Sequence, residues 1–245
     1  PFRGGGADIL ADFIKSCRKY GLQPGIYYNT NYNTMYGAGY KRISDEERLR
    51  YNEVIYLQLK ELWSHYGDLF EIWFDGGVMV DKKTGIADKV SDLLREYQSK
   101  AILFQGPLSE RNLVRWSGNE DGIAPYPNWS RADAGTSSDG KVKIPDLHGS
   151  PDGKYWIPAE SDFPNRYDAW LWKIGDEKNV MTSDELMKRY YSSVGRNSNM
   201  LIGMVIDTDG QFPEPDVNAF EEFGNELRVR EKSKIGAISG EGTIL

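Results

Sequence analysis

Short apolar runs alternate with amphipathic segments or long loops along the chain, and that alternation limits the folds open to it. The runs centre on Ile26, Trp73, Leu103, Arg115, Ile157 and Leu201. Each is of strand length and bounded by turn residues. Helical spacing separates most of them: Ile9, Leu10, Phe13, Ile14, Cys17 and Tyr20 before Gly21, then Tyr51 to Tyr66 before Gly67, then Ile86 to Tyr97. A further helix, Leu186 to Val194, stands behind a capping-box pair, Thr182 and Glu185, and a last one follows Pro213 and Pro215 through Leu227. Strands joined by such long connections pair in parallel, which makes the chain an α/β protein. Six units suit either a doubly wound sheet or most of an eight-stranded (β/α)₈ TIM barrel. The absence of a glycine-rich phosphate turn after any strand counts against a nucleotide-binding sheet.

Two stretches break the rhythm. Residues 30–44, rich in Asn, Tyr and Gly, form a long loop beyond the first strand, and long loops in compact domains are commonly functional. Residues 121–154 shift to Gly, Pro, Ser and Asp and read as an irregular excursion with room for a small hairpin. Residues 1–228 are expected to form one barrel-type domain. The charged, then glycine-rich remainder, 229–245, is expected to be a linker or the start of a following β domain.

Composition narrows the partners. The formal net charge is −7 and no Lys/Arg cluster tracks a phosphate backbone, so nucleic acid is not expected. No run of 18 apolar residues is present to span a membrane. One cysteine, Cys17, excludes an internal disulfide and a multi-cysteine metal site; its place on an apolar helix face marks it as a core residue. With His65 and His148 the only histidines, no metal site and no cofactor are expected, and Asp207-Thr208-Asp209-Gly210 is expected to be a turn because Asn218 stands where a calcium loop needs an acid. Aromatic content of 13%, with 7 Trp and 15 Tyr, exceeds what packing demands, and sugar rings stack on such faces.

Three candidate strands end on acids. Phe70-Glu71-Ile72-Trp73-Phe74 runs into Asp75-Gly76-Gly77, Leu113 to Trp116 leads to Glu120, and Trp156-Ile157-Pro158-Ala159 leads to Glu160. Parallel α/β folds do their chemistry beyond the carboxyl ends of their strands. The plain alternative for Asp75 is a carboxylate that only caps the next turn. Strands two apart lie about 10 Å from each other, so inward-pointing acids reach either the about 5–5.5 Å of a retaining glycosidase or the about 6.5–9.5 Å of an inverting one. Spacing does not choose between them.

The chain resembles the α-L-fucosidases of glycoside hydrolase family 29. The likeness is carried by Gly25-Ile26-Tyr27-Tyr28, Tyr51-Asn52, Gln58-Leu59-Lys60-Glu61-Leu62, Glu71-Ile72-Trp73-Phe74-Asp75-Gly76, Trp156-Ile157-Pro158-Ala159-Glu160-Ser161-Asp162 and Tyr190-Tyr191-Ser192-Ser193-Val194-Gly195-Arg196-Asn197. Arg115-Trp116-Ser117-Gly118-Asn119-Glu120 is similar to the branch that favours α-1,3/1,4-linked fucose.

The resemblance implies a (β/α)₈-like barrel and a retaining exo-acting enzyme, with Asp75 as nucleophile and Glu120 as acid/base. It places Tyr28 and Trp73 in the sugar pocket, Trp116, near Glu120, also on the substrate, and Glu160 and Trp172 as contacts beyond the fucose. Glu160 also suits a salt-bridged barrel residue. Glu120, set among Trp116, Tyr126 and Trp129, is expected to be a carboxyl in apolar surroundings, as a general acid requires. The expected partner is a fucosylated glycan, and the expected location is secreted, periplasmic or lysosome-like.

The chain departs from the family in lacking its His-Trp-Gly and His-His-Asp-Gly-Phe motifs. Six of eight barrel strands are therefore expected here, with a second chain or a preceding segment completing the barrel. A non-catalytic fucose-binding module, or an inactive fragment, is the competing expectation.

Overall fold

The computed structural model describes residues 4, 6–39, 41–79, 81, 83–136, 142–143, 146–167 and 169–232. Most of the expected tail, 233–245, lies outside them. The chain divides into two compact units, Pro1–Gly118 with Ala124–Glu160, and Asn119–Ile123 with Ser161–Leu245.

The first unit is built on parallel strands β1 (Gly25–Tyr28), β2 (Glu71–Phe74), β3 (Ile102–Phe104) and β4 (Leu113–Trp116), each paired with the next. Three helices connect or precede them: α1 (Ile9–Lys19), α2 (Asp45–His65) and α3 (Ala87–Tyr97). Local chemistry sets their starts. Asp8 Oδ1 accepts the amides of Leu10 and Ala11 at the head of α1, and Ser44 with Glu47 forms a capping box on α2.

Strand alternation sorts β2 into two faces. Ile72 and Phe74 are fully buried and share a core with Tyr51, Ile55, Leu59 and Trp63 of α2 and Val90, Leu93 and Leu94 of α3. Glu71, Trp73 and then Asp75 occupy the other face.

The long excursion carries short antiparallel pairs, β5 (Arg131–Ala132) with β8 (Tyr155–Trp156), and β6 (Gly135–Thr136) with β7 (Val142–Lys143). Arg115, 2% exposed, anchors it: its guanidinium donates to Ile157 O, to Asn128 Oδ1 at 2.7 Å, to Trp129 O at 2.9 Å and to Leu147 O at 3.3 Å.

The strand expected at 156–160 is really two. Pro158 has no N–H to continue a ladder, so β8 stops at Trp156 and β9 (Ala159–Pro164) starts afresh. The first two residues of β9 pair with β4, Ala159 against Arg115 and Glu160 against Trp116. Glu160 thus stands at the start of a strand and not at its carboxyl end.

In that position the Glu160 carboxylate still reaches Trp73, with Trp73 Nε1 donating to Glu160 Oε1 at 2.8 Å. Laid flat, β9 and β2 would be about 14 Å apart, three spacings of about 4.8 Å. The sheet of this unit is therefore curled, with Trp73 and Glu160 on its concave face.

Helix α1 corrects a second expectation. It buries only Ile14, while Phe13 is 47% exposed, Tyr20 71% exposed, and Cys17 half-buried, so Cys17 is not a core residue. The helix is tied down instead by Arg18, which donates to the carbonyls of Tyr66 and Asp68.

In the second unit the remainder of β9 lies beside β10 (Ser198–Gly203), and α4 (Ser183–Ser193) packs with α5 (Glu214–Lys232). Phe163, Met181, Leu186, Met187, Ala219 and Phe223 form its core. The fully buried Arg166 is neutralised by Asp176 and by Asp216, the latter at 2.6 Å. The capping box at Thr182 and Glu185 forms as expected, and Asp207 closes its turn by accepting from the amides of Asp209 and Gln211. Helix α5 runs to Lys232, four residues past the expected end of the domain, where Arg230 bonds Glu226 and the Tyr191 hydroxyl.

Candidate active site

Asp75 follows β2 directly, and two interactions fix its carboxylate. The Tyr27 hydroxyl donates to Oδ2 at 2.5 Å and Asn29 Nδ2 donates to the same oxygen at 3.0 Å. Oδ1 carries neither bond. Desolvation, and then the bond to Asp75, push the Tyr27 phenol up to about 12, so it stays a donor at neutral pH.

The turn beyond Asp75 uses positive φ at Gly76 and Gly77, 68° and 73°, which glycine adopts without strain. Its carbonyls are clamped by buried groups. Asn31 Nδ2 donates to Gly76 O and Gly77 O, Thr30 Oγ1 donates to Gly77 O, and the Arg48 guanidinium holds Thr30 O from α2.

Beneath Asp75 lies an aromatic layer set by strand register, in which Tyr27, Trp73 and Phe104 are partners on β1, β2 and β3. Trp73 stacks on Phe104 at 3.8 Å between centroids and 7° between planes, and on Tyr27 at 5.6 Å. Its indole is held edge-on by Glu160, which is 1% exposed. Glu160 therefore supports Trp73, and beside it another acid, Glu71, is pushed up to about 8 by burial and by the Glu160 charge.

Tyr28 is placed differently from the sequence reading. Its hydroxyl donates to Gln58 of α2 at 2.6 Å, it packs with the helix-side core, and burial raises its phenol. The neighbouring Tyr27 is the tyrosine that meets Asp75. Trp116 is half-buried at the end of β4, paired in register with Glu160.

The second cluster belongs to the second unit. Glu120 is exposed, and its Oε2 accepts from Trp170 Nε1 at 2.8 Å. The indole at Glu120 is that of Trp170, two positions before Trp172, which is half-buried.

Asn119 fixes the short segment around Glu120, accepting the amides of Asp121 and Ile123 on Oδ1 and donating to Ile123 O. Two glycines permit close approaches here: a Cβ on Gly122 would meet the Phe163 ring at 2.4 Å, and one on Gly203 would meet the Trp170 ring at 2.6 Å.

Tyr27, Asn29, Asn31 and Trp170 were missed in the sequence. The first three sit at or just beyond the end of β1; the Asn-rich loop was a signal for Asn31 only, and Tyr27 stood in the motif Gly25-Ile26-Tyr27-Tyr28 without being singled out.

The family model described as alpha-L-fucosidase matches residues 3–232. The chain belongs to the α-L-fucosidase family. Alpha-L-fucosidase 1 of Arabidopsis thaliana is 28% identical over 227 residues, covering 91% of this chain and 42% of that protein. A rice (Oryza sativa subsp. japonica) protein named as a candidate α-L-fucosidase 1 is 30% identical over 229 residues, covering 91% and 41%.

Among solved structures, a candidate α-L-fucosidase from Bacteroides thetaiotaomicron VPI-5482 superposes with a TM-score of 0.83 at 34% identity, over 97% of this chain and 56% of that one. A Ruminococcus gnavus glycoside hydrolase 29 fucosidase, solved in complex with fucose, superposes with a TM-score of 0.74 at 25% identity, over 92% and 48%. The chain thus spans about two-fifths of the length of these plant relatives, and its parallel α/β architecture is that of the fucosidase barrel.

Proposed function

We propose that the protein forms the catalytic part of a retaining exo-α-L-fucosidase that removes terminal α-L-fucose, α-1,3- or α-1,4-linked, from glycans. The observation that carries this reading is the state of Asp75. Two donors hold one carboxylate oxygen and leave the other to attack, at the end of a strand whose next inward residue is a stacked tryptophan.

In the proposed reaction Asp75 Oδ1 bonds to the anomeric carbon as the glycosidic C–O bond breaks, and Glu120 gives its proton to the departing oxygen. Glu120 then takes a proton from the water that hydrolyses the fucosyl ester, which returns both carboxyl groups to their starting states. Trp73, stacked between Tyr27 and Phe104, supplies an apolar edge to the sugar, and the Trp170 indole orients the Glu120 carboxyl.

Replacing the nucleophile tests this. Asp75→Ala should lower kcat for an aryl fucoside by about 10⁴-fold or more. Azide should restore turnover to Asp75→Gly with formation of fucosyl azide of inverted configuration. An Asp75→Ala protein that still turns over would contradict the assignment, and saturable fucose binding without turnover in the wild type would favour a binding module.

A further inference from the structure

Residues 29–31, just beyond β1, meet Asp75 from two sides. On the carboxylate side, Asn29 Nδ2 donates to Oδ2, while Asn29 Oδ1 accepts the amides of Asn31 at 2.8 Å and of Tyr32 at 2.9 Å. On the backbone side, Asn31 Nδ2 lies 3.5 Å from the carbonyl oxygen of Asp75 itself, 3.2 Å from that of Gly76 and 3.0 Å from that of Gly77. Thr30 Oγ1 adds a donor to Gly77 O at 2.9 Å. A side-chain amide has two hydrogens, so three carbonyls share them around the turn.

That amide has one workable orientation. Carbonyl oxygens surround Nδ2, and turning the group over would set Oδ1 against all of them. The cost falls on the other side: Asn31 is 6% exposed, and its Oδ1 is buried with no partner among the described residues. An orphaned buried acceptor is destabilising, and a residue that only closed a loop would not require one. What the chain keeps in return is a donor at the root of Asp75.

Helix α2 fastens this bracket from behind. Arg48 Nη2 donates to Thr30 O at 3.0 Å, and the Tyr51 hydroxyl lies 3.4 Å from Asn29 O and 3.3 Å from Tyr32 O. Both helix residues are buried, and the Arg48 guanidinium sits 5.3 Å from the centre of the Tyr51 ring. Gly76 and Gly77, at positive φ, have no side chains of their own to keep the turn from swinging. The restraint on Asp75 therefore comes from residues 29–31 and, through them, from a helix.

We propose that Asn31, assisted by Thr30, is a positioning residue for the Asp75 nucleophile, fixing the turn and with it the line along which Oδ1 meets the anomeric carbon. The role rests on the preceding reading, in which Asp75 attacks. A displacement of about 1 Å in a reacting group costs about 100-fold in rate, so a nucleophile that opens a two-glycine turn needs such a restraint. In this role Asn31 contacts no reacting atom, and its whole effect passes through Asp75.

The test exploits that dependence. With an aryl fucoside, Asn31→Ala should lower kcat/KM by about 10- to 100-fold, while the Ki of free fucose as a competitive inhibitor stays at its wild-type value. In an Asp75→Gly background azide replaces the carboxylate, forming a C–N bond to the anomeric carbon as the aryl oxide leaves. There the cost of Asn31→Ala should vanish from the azide-rescued rate. Thr30→Val keeps the volume and removes one donor to Gly77, so it should show the same pattern at smaller size; it decides the matter if Asn31→Ala does not fold.

An equal loss of rate with and without the Asp75 carboxylate would mean a damaged pocket and would overturn the positioning role, as would wild-type kcat/KM in both variants. A wild-type protein that hydrolyses no fucoside overturns the function proposed above and this role with it. A wild type that turns over, with Asp75→Gly rescued by azide, upholds that function and leaves the Asn31 result to stand or fall by itself.

Discussion

At Asp75 the arrangement separates what two adjacent tyrosines do. Tyr27 and Tyr28 are equally aromatic and equally strand-like, and alternation sends them to opposite faces; only the structure sets the phase, with Tyr27 on Asp75 and Tyr28 on Gln58. The same one-position ambiguity applies between Trp170 and Trp172 in an irregular segment, where no period exists to decide. The position of Asp75 was legible, because an apolar run ending on an acid and two glycines marks the end of a strand, but that run alone suited a turn-capping carboxylate as well. Tyr27→Phe should therefore lower kcat/KM by about 10- to 100-fold, the worth of a hydrogen bond to a charged group. Tyr28→Phe should leave turnover near wild type and cost about 1 kcal/mol of stability. Steady-state kinetics and denaturant melts of the pair check both, and the reverse ranking would contradict the assignment of faces.

Among the elements, helices whose caps and apolar spacing agree, such as α4 behind Thr182, were readable from local chemistry. Strand β9 was not, because Ser161 and Asp162 are polar residues that only tertiary partners make buried, and because Pro158 splits the run before it. The excursion of 121–154 was legible as irregular, but nothing local announced that Arg115 would hold it. Its guanidinium gathers three backbone carbonyls and Asn128. Arg115→Met strands these buried acceptors and should cost about 3 kcal/mol or more, with faster amide exchange confined to 124–157. Arg95→Met, which loses a pairing to Glu110 from a half-exposed side chain, should cost at most about 1 kcal/mol. Denaturation midpoints of the two variants make the comparison.

For the whole molecule, the α/β class followed from the alternation of strands and helices, while the curl of the first unit's sheet became visible only through the bond from Trp73 to Glu160. The raised Glu71 carboxyl also gives the protein a pH signature. Glu71 binds its proton more tightly folded than unfolded, so between about 4.5 and about 8 the folded state holds a proton that the unfolded chain has released. Its contribution is complete below the lower value and is lost as pH rises through the upper one. Urea midpoints should therefore fall across that window in the wild type relative to Glu71→Gln.

The most direct measurement of the central claim is covalent: incubation with 2-fluoro-fucosyl fluoride, proteolysis, and mass mapping of the modified peptide. The account predicts label on Asp75 within the peptide that carries Trp73 and Gly76. Label on Glu120, Glu160 or any other residue would contradict it, as would a protein that turns over aryl fucosides yet never accumulates the adduct.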